Sequence, residues 1–554
     1  MVWRCGLLGL TLIAAPTAIA ADSLTSLGVG YVCSAEHGGP VAGGPRELTM
    51  VSGVGTGGFT IATAKPEAQR WFDYGMSLAH AFYHEDATAA FKRARLIDPA
   101  CAMCAWGEAW ASGPTINFDV DPPVRKAAAK TLAEAEALAA SETPKNRALI
   151  EALKARYAGP NAVAEDLAFA KAMDALSRQY PDDDEIAVLT SDAWLEPFTI
   201  HDDRQGIARA VAVLEPVLRR HPDNTGAIHF YIHATEIAGQ PALSLPYADR
   251  LGALAPEASH LVHMASHTFF RVGRYEDAAV VNAQAIAVDS DWIRRAHDTT
   301  PQGKVQYHAH DLRFGLAGAM ASGDSALALR LADHVAFAFP AAIADEPGSQ
   351  IAWADAGFAY GRYARDRALA LADPGPKAPF AAAMRHYARG EALAARGDVA
   401  GVGAEAAAIE NDKAAAAATP TYFRKTASAI LKIAALTLRG RAAMLAGHPA
   451  DAAKLYESAA KIQDADLAYL GAYDPPPWWY PERRSLAAAL LAARHPAQAA
   501  DAARAALVRW PHEPLTLRIL GEAERAAGQG EAASRDLAEA TATWRGGPVS
   551  PAML

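Results

Sequence analysis

Residues 71–78, Trp71-Phe72-Asp73-Tyr74-Gly75-Met76-Ser77-Leu78, followed by Ala87, Phe91, Ala94 and Pro99, decide the fold of this chain. Trp71, Tyr74, Gly75 and Leu78 recur at helical spacing, as do Ala87, Phe91 and Ala94, so each of these sets lies along one face of a helix. Gly75 and Ala87 are small where the two helices cross closely. Trp71 and Phe91 fill the space on either side. Pro99 cannot continue the second helix. The unit is a helical hairpin, and its second half returns in weaker form along the chain. Ala210, Leu214, Val217 and Pro222 carry it, then Ser244, Ala248, Leu251 and Pro256, then Ala278, Asn282 and Ala285. Near the C-terminus Ala499, Ala503, Ala506 and Pro511 repeat it, and Ala533, Leu537 and Ala540 close the series. From Ala210 to Ser244 to Ala278 the step is 34 residues each time.

That period and residue distribution resemble the tetratricopeptide repeat, with Tyr74 and Leu78 exchanged against its usual order. One hairpin cannot bury its apolar face alone, so successive hairpins stack and share a continuous core. The expected fold is all-α, a right-handed α-solenoid of tetratricopeptide-type hairpins with irregular insertions. An alanine-dominated composition favours helix, and alternating β-branched runs are nearly absent. The expected layout is a signal peptide over 1–21, a Gly-rich extended arm over 22–65 and N-terminal repeats over 66–190. Central His-rich repeats over 191–345 and irregular helix pairs over 346–472 follow, and a Pro/Trp loop with C-terminal repeats over 473–554 ends the chain. Two proline-dense stretches, Gly113 to Pro123 and Tyr473 to Pro481, are expected to be loops. The second reads either as a packed aromatic plug or as a ligand-contacting loop.

The first residues have the pattern of a secretory signal: Arg4, an apolar run from Cys5 to Ile13, and Ala18-Ile19-Ala20. A retained anchor is the other reading, although the run is short for a bilayer span. The expected location is periplasmic or secreted, and no later segment is expected to span a membrane. The net charge of −10 comes with no long basic block, which argues against nucleic acid as a partner. An oxidising compartment makes a Cys101–Cys104 disulfide reasonable, with Cys33 left over. Asp98-Pro99 reads as the cap and first turn of a helix, placing the CxxC at its N-terminus. A reactive or metal-binding cysteine pair is the alternative.

Histidine placement carries the most information. His229, His233 and Glu236 share one helix face, as do His260, His263 and His267. His263 follows His229 by 34 residues, and His267 follows His233 by 34. That offset equals the repeat length, so equivalent positions should stack side by side on first helices lining the concave groove. His310 is expected on the same face of the next first helix. Neutral imidazoles at i and i+4, with a carboxylate nearby, suit a transition metal ion such as Cu, Fe or Zn. The metal candidates are His229, His233, His260, His263, His267 and His310, with Glu236 the candidate proton carrier. His80 and His84 form a further i, i+4 pair that is separated from the patch in sequence. Other readings of the same ladder are a hydrogen-bonded polar stack, or a metal-free site for a small molecule or peptide assisted by Arg271 and Arg313.

Several blocks resemble a broad family of secreted tetratricopeptide-repeat proteins with His-rich repeats. They are Gly57-Gly58-Phe59, Pro66 to Asp73, Ala81-Phe82-Tyr83-His84, Asp98 to Gly107, Gly226 to Glu236, His260 to His267, Arg271 to Tyr275, and Pro475 to Pro481 with Arg483. The resemblance covers nearly the whole mature chain and implies the fold rather than a reaction. Arg313 stands where the family usually has a histidine, Thr115 where it has asparagine, and His80 is outside its pattern. A permanent cation at Arg313 disfavours a metal there and favours an anion. Three functions remain open from the sequence: a metal-dependent oxidoreductase or hydrolase, a non-enzymatic scaffold for peptide or protein partners, and metal storage or delivery. No nucleophile elbow, P-loop or dinucleotide fingerprint is present.

Overall fold

In the computed structural model the described residues are 48–159, 162–201, 204–295, 307–340, 343, 345–411, 415, 421–467 and 475–554. The expected signal peptide, most of the Gly-rich arm and Cys33 lie outside them. Among the described residues no strand forms, and 24 α-helices follow one another, each packed on the next. The fold is an α-solenoid of tetratricopeptide-type hairpins.

The first stretch holds α1 (Pro66–His80), α2 (His84–Ile97), α3 (Ala102–Ala111), α4 (Pro122–Leu138), α5 (Pro144–Lys154) and α6 (Ala162–Gln179). The central stretch holds α7 (Asp184–His201), α8 (Ile207–Arg220), α9 (Thr225–Ile237), α10 (Leu245–Leu254), α11 (Ser259–Arg271), α12 (Tyr275–Arg295), α13 (His308–Ser322) and α14 (Ser325–Ala338). Then come α15 (Pro347–Tyr363), α16 (Arg365–Ala370), α17 (Pro379–Ala394), α18 (Val399–Asn411), α19 (Thr421–Leu445) and α20 (Pro449–Ile462). The last four are α21 (Glu482–Ala492), α22 (Pro496–Leu507), α23 (Pro514–Ala526) and α24 (Gly530–Thr543). Many begin with proline in the first turn, where its missing N–H has no intrahelical partner to lose. Pro122 and Pro123 use this rule too. They open α4 instead of ending the loop before it, which corrects that part of the expectation.

Phe91 shows how tightly the first hairpins interlock. A Cβ on Gly75 of α1 would stand 2.8 Å from its ring, and a Cβ on Gly107 of α3 would stand 2.5 Å from it. The ring is held from both sides and cannot retreat. Gly107→Ala is therefore expected to cost about 1–3 kcal/mol, read as a lower urea midpoint.

The apolar core falls into three clusters. One runs from the arm through α13 and takes in Trp510, one spans α12 to the Pro/Trp loop, and one holds the C-terminal hairpins. The solenoid does not stay open. Trp510 packs on Phe270 of α11 at 5.6 Å, the Tyr275 hydroxyl donates to the Pro511 carbonyl, and Arg545 N–H donates to the Ser322 carbonyl. At the other end α1 packs on α9. The described part of the arm, from residue 48, reaches past the first helices: Thr56 N–H donates to Thr225 Oγ1, and Glu257 N–H donates to the Gly53 carbonyl. The Pro475–Pro481 loop packs as a plug. Trp478, Trp479 and Tyr480 are buried, Trp479 stacks on Phe358 at 4.1 Å, and its indole N–H donates to Asp355. No described helix is long and apolar enough to cross a membrane.

Candidate metal centre

Three helices build the site. α9 starts where the Asn224 side chain accepts from Ala227 N–H, and every residue of α9 is buried. α11 starts at Ser259, whose N–H and hydroxyl both bond the Tyr83 hydroxyl in the loop between α1 and α2. α13 ends at Gly323, where φ is +80° and a side chain would be strained. With all sides covered, these helices have no solvent-facing stripe on which to place a histidine.

The ladder expected from the 34-residue offset forms, but it divides into two groups of three. Nitrogens of His229, His233 and His260 all lie within 4.8 Å of one another, as do those of His263, His267 and His310. Each group takes an i, i+4 pair from one helix and one histidine from the first turn of the next first helix. The unit is thus built once on α9 and α11, and again on α11 and α13. His229 Nε2 stands 3.2 Å from the Nε2 atoms of both His233 and His260, and His267 Nε2 stands 3.5 Å from His310 Nε2. Two nitrogens bound to one tetrahedral ion at ordinary bond lengths stand about 3.3 Å apart.

The other ring nitrogens show why these rings turn inward. His229 Nδ1–H donates to the His80 carbonyl at 2.6 Å. His263 Nδ1–H donates to Asn282 Oδ1 at 2.6 Å, while the Asn282 amide N–H donates to the Ala278 carbonyl and so fixes which atom faces the ring. His267 Nδ1–H donates to Glu236 Oε2 at 2.8 Å, and Glu236 Oε1 accepts from Arg271 Nε at 2.8 Å. Each of the three is thereby held as the tautomer whose Nε2 lone pair points into a group. His263 Nε2 and the Nδ1 atoms of His233 and His260 are buried with no hydrogen-bond partner, an arrangement a purely structural polar stack leaves unexplained.

Burial sets the charge. It lowers His229 to about 3, and neighbouring imidazoles add to the effect although the hydrogen bond to His80 opposes it. Burial and the neighbouring imidazoles hold His233, His260 and His263 well below the usual imidazole range, and burial does the same for His267 beside His310 and Arg271. These rings are neutral, the state a metal ligand needs. Burial pushes Glu236 up to about 7 against the pull of Arg271. It sits behind His267, on the Nδ1 side of that ring.

The other sequence candidates fall as follows. Chain closure brings the separated pair of α1 and α2 to the first triad: His80 lends its carbonyl to His229 and its Nε2 contacts Glu185 at 2.5 Å. His84 stacks on Phe82 at 5.5 Å, and both its ring nitrogens are buried without a partner. Neither lies in a triad. Arg271 is engaged by Glu236 and Arg313 by Asp355, each a carboxylate of the chain itself. Cys101 and Cys104 form a disulfide. Cys101, not Asp98, is the cap of α3, and its sulfur accepts from Cys104 N–H. The six triad histidines are at most 6% exposed, so they are sealed inside the fold instead of lining an open groove.

Other residues at the site carried weaker signals. Phe82, between α1 and α2, lies over the first triad at 4.2 Å from His229 and 5.0 Å from His260. Its φ of +62° is unusual for a bulky side chain. Phe314 covers the second triad, 4.6 Å from His267 and 5.1 Å from His263. Asn282 was visible as a polar residue at a position the hairpin pattern keeps small or apolar. Asp311, beside His310, is fully buried with its Oδ1 3.1 Å from His263 Nδ1. His308, two residues before His310, faces His334 outside both triads.

No family model matches the chain, and no curated protein matches it. Solved structures that match include the human IFIT1 dimer with m7Gppp-AAAA, at 14% identity and a TM-score of 0.32, covering 80% of this chain and 89% of that one. The P58(IPK) TPR domain matches at 15% identity and 0.20, covering 61% and 89%. Naa15/Naa10 bound to HypK-THB matches at 13% and 0.23, covering 86% and 89%. These likenesses concern the fold alone. The chain's own helices define the class: a tetratricopeptide-type solenoid.

Proposed function

We propose that this chain is an exported helical-repeat protein that holds two transition metal ions, copper, iron or zinc, one in each histidine triad. The observation that carries the proposal is the duplicated three-imidazole unit with its nitrogens within 4.8 Å of one another. Three imidazole nitrogens leave a fourth position for water or a small reactant. When bound, such an ion supplies Lewis-acid or redox chemistry. Burial restricts any reaction to electron transfer or to reactants the size of water or dioxygen, and it equally suits storage or delivery. The buried Cys101–Cys104 disulfide supports an oxidising compartment.

Elemental analysis of purified, tag-free protein tests the proposal, with aerobic and anaerobic spectra separating copper and iron from zinc. About two ions per chain are expected. No stoichiometric metal, or metal that persists when His229 and His263 are both alanine, overturns it. Glu236→Gln is expected to keep the fold and to weaken binding at the second triad by about 10–100-fold, because His267 loses its carboxylate acceptor.

The scaffold reading has its own observation. A cleft of about 260 Å³ is lined by Arg271, Arg483, Arg509, Asp464 and the Trp478 and Trp510 rings, with prolines of the plug loop. Arginines lining a cleft with aromatic and proline residues suit an acidic or C-terminal peptide segment, which would compete with Glu236 for Arg271 and with Asp464 for Arg483. Capture of a defined polypeptide by wild type but not by Arg509→Ala, with no metal present, favours that reading.

A further inference from the structure

The triads are sealed, so an ion needs a route to them. A third imidazole group, outside both triads, lies at the protein surface. His308 Nε2 on α13 stands 2.9 Å from His334 Nε2 on α14. His308 is fully buried, and its Nδ1–H donates to Asp289 Oδ2 of α12 at 3.0 Å. This carboxylate behind an imidazole turns the free lone pair of His308 toward His334, as in metal-bound histidines. His334 is only half-buried, with the exposed Phe337 ring beside it at 5.6 Å.

The residues behind the pair lead inward. Asp289 is 6% exposed, and the His308 that it holds lies three residues before Asp311 on the same face of α13. Asp311 is 0% exposed, both its oxygens lack a hydrogen-bond partner, and Oδ1 is 3.1 Å from His263 Nδ1 in the second triad. A buried carboxyl without a donor is costly in a static structure. A passing cation supplies what it lacks.

We propose that His308 and His334 form a surface docking site for a transition metal ion, and that Asp289 and Asp311 carry the ion from it to the His263, His267 and His310 triad. The proposal rests on the metal reading of the triads. The competing role for the pair is a hydrogen-bonded strut, with His334 Nε2–H donating to His308, and the strut has no bearing on how fast metal enters.

The test uses metal-free full-length protein mixed rapidly with Co²⁺, followed by the visible absorption cobalt gains on binding imidazole. His334→Ala and His334→Gln are expected to slow uptake at least about tenfold while leaving the final cobalt content of the triads unchanged. Asp311→Asn is expected to act in the same direction. His221→Ala is the control, since this imidazole is exposed and bonded to Asp184, and it is expected to load like wild type. Thermal unfolding of each variant separates slow loading from a damaged fold. Variants with wild-type melting and loading as fast as wild type overturn the docking site and leave the triads standing. A His221→Ala protein slowed as much as His334→Ala also overturns it. Wild-type protein that takes up no cobalt overturns both readings.

Discussion

On the proposed two-metal reading, His229→Ala protein is expected to emerge from purification with about one metal ion per chain instead of two, and His263→Ala with the other one. His229 Nε2 is the hub of the first triad, 3.2 Å from both His233 and His260. His263 belongs only to the second. Loss of a direct ligand weakens a site by more than the roughly 10–100-fold that follows loss of a supporting residue. Purification therefore strips the damaged triad and leaves its neighbour loaded. One shared centre built from His229, His233, His263 and His267 gives a different result, because either substitution empties the whole protein. Elemental analysis decides between them, with His229→Gln and His263→Gln as versions that leave less of a cavity. If each single variant keeps two ions, the triads are not the binding sites.

Glu482→Gln is expected to flatten the dependence of stability on pH. Glu482 lies under the aromatic plug, where its Oε1 accepts from the Trp478 indole and the Thr437 hydroxyl. Its Oε2 is buried with no partner. Burial pushes this carboxyl from 4.5 up to about 7, against the pull of those donors and of Arg441. Between these values the folded protein holds a proton that the unfolded chain has released. Its contribution is fully present below pH 4.5 and is lost as pH rises through about 7. Each pH unit in that window costs about 1.4 kcal/mol, or about 3 kcal/mol across it. In the Glu482→Gln protein this loss is absent, so the difference between variant and wild type grows in the variant's favour from pH 5 to pH 8. Urea unfolding of metal-free protein at the two pH values measures it. A constant difference between the two proteins refutes the assignment.

Both results depend on features with unequal visibility in the sequence. The hairpins were legible because helix crossing imposes a local rule: Gly75 and Ala87 must be small, and Pro99 must end a helix. The His229/His263 and His233/His267 relation was legible for the same reason. Equivalent places in adjacent repeats are neighbours whatever the rest of the chain does. Glu482 had no such signal, since its carboxyl is unusual only because of the Trp478 ring and the burial around it.

The sequence by itself determined an all-helical repeat array and a histidine face shared by α9, α11 and α13. The tertiary structure decided that this face is sealed, and that six imidazoles sort into two groups of three. It also decided that Glu236 supports His267, and that Arg271 and Arg313 are engaged by carboxylates of the same chain. The physical reason is range. Periodicity fixes contacts between residues one repeat apart, but the cover over the first triad comes from Phe82 and from the His80 carbonyl, 149 residues from His229. Closure of the solenoid makes that contact, and it depends on the summed rotation of every hairpin between.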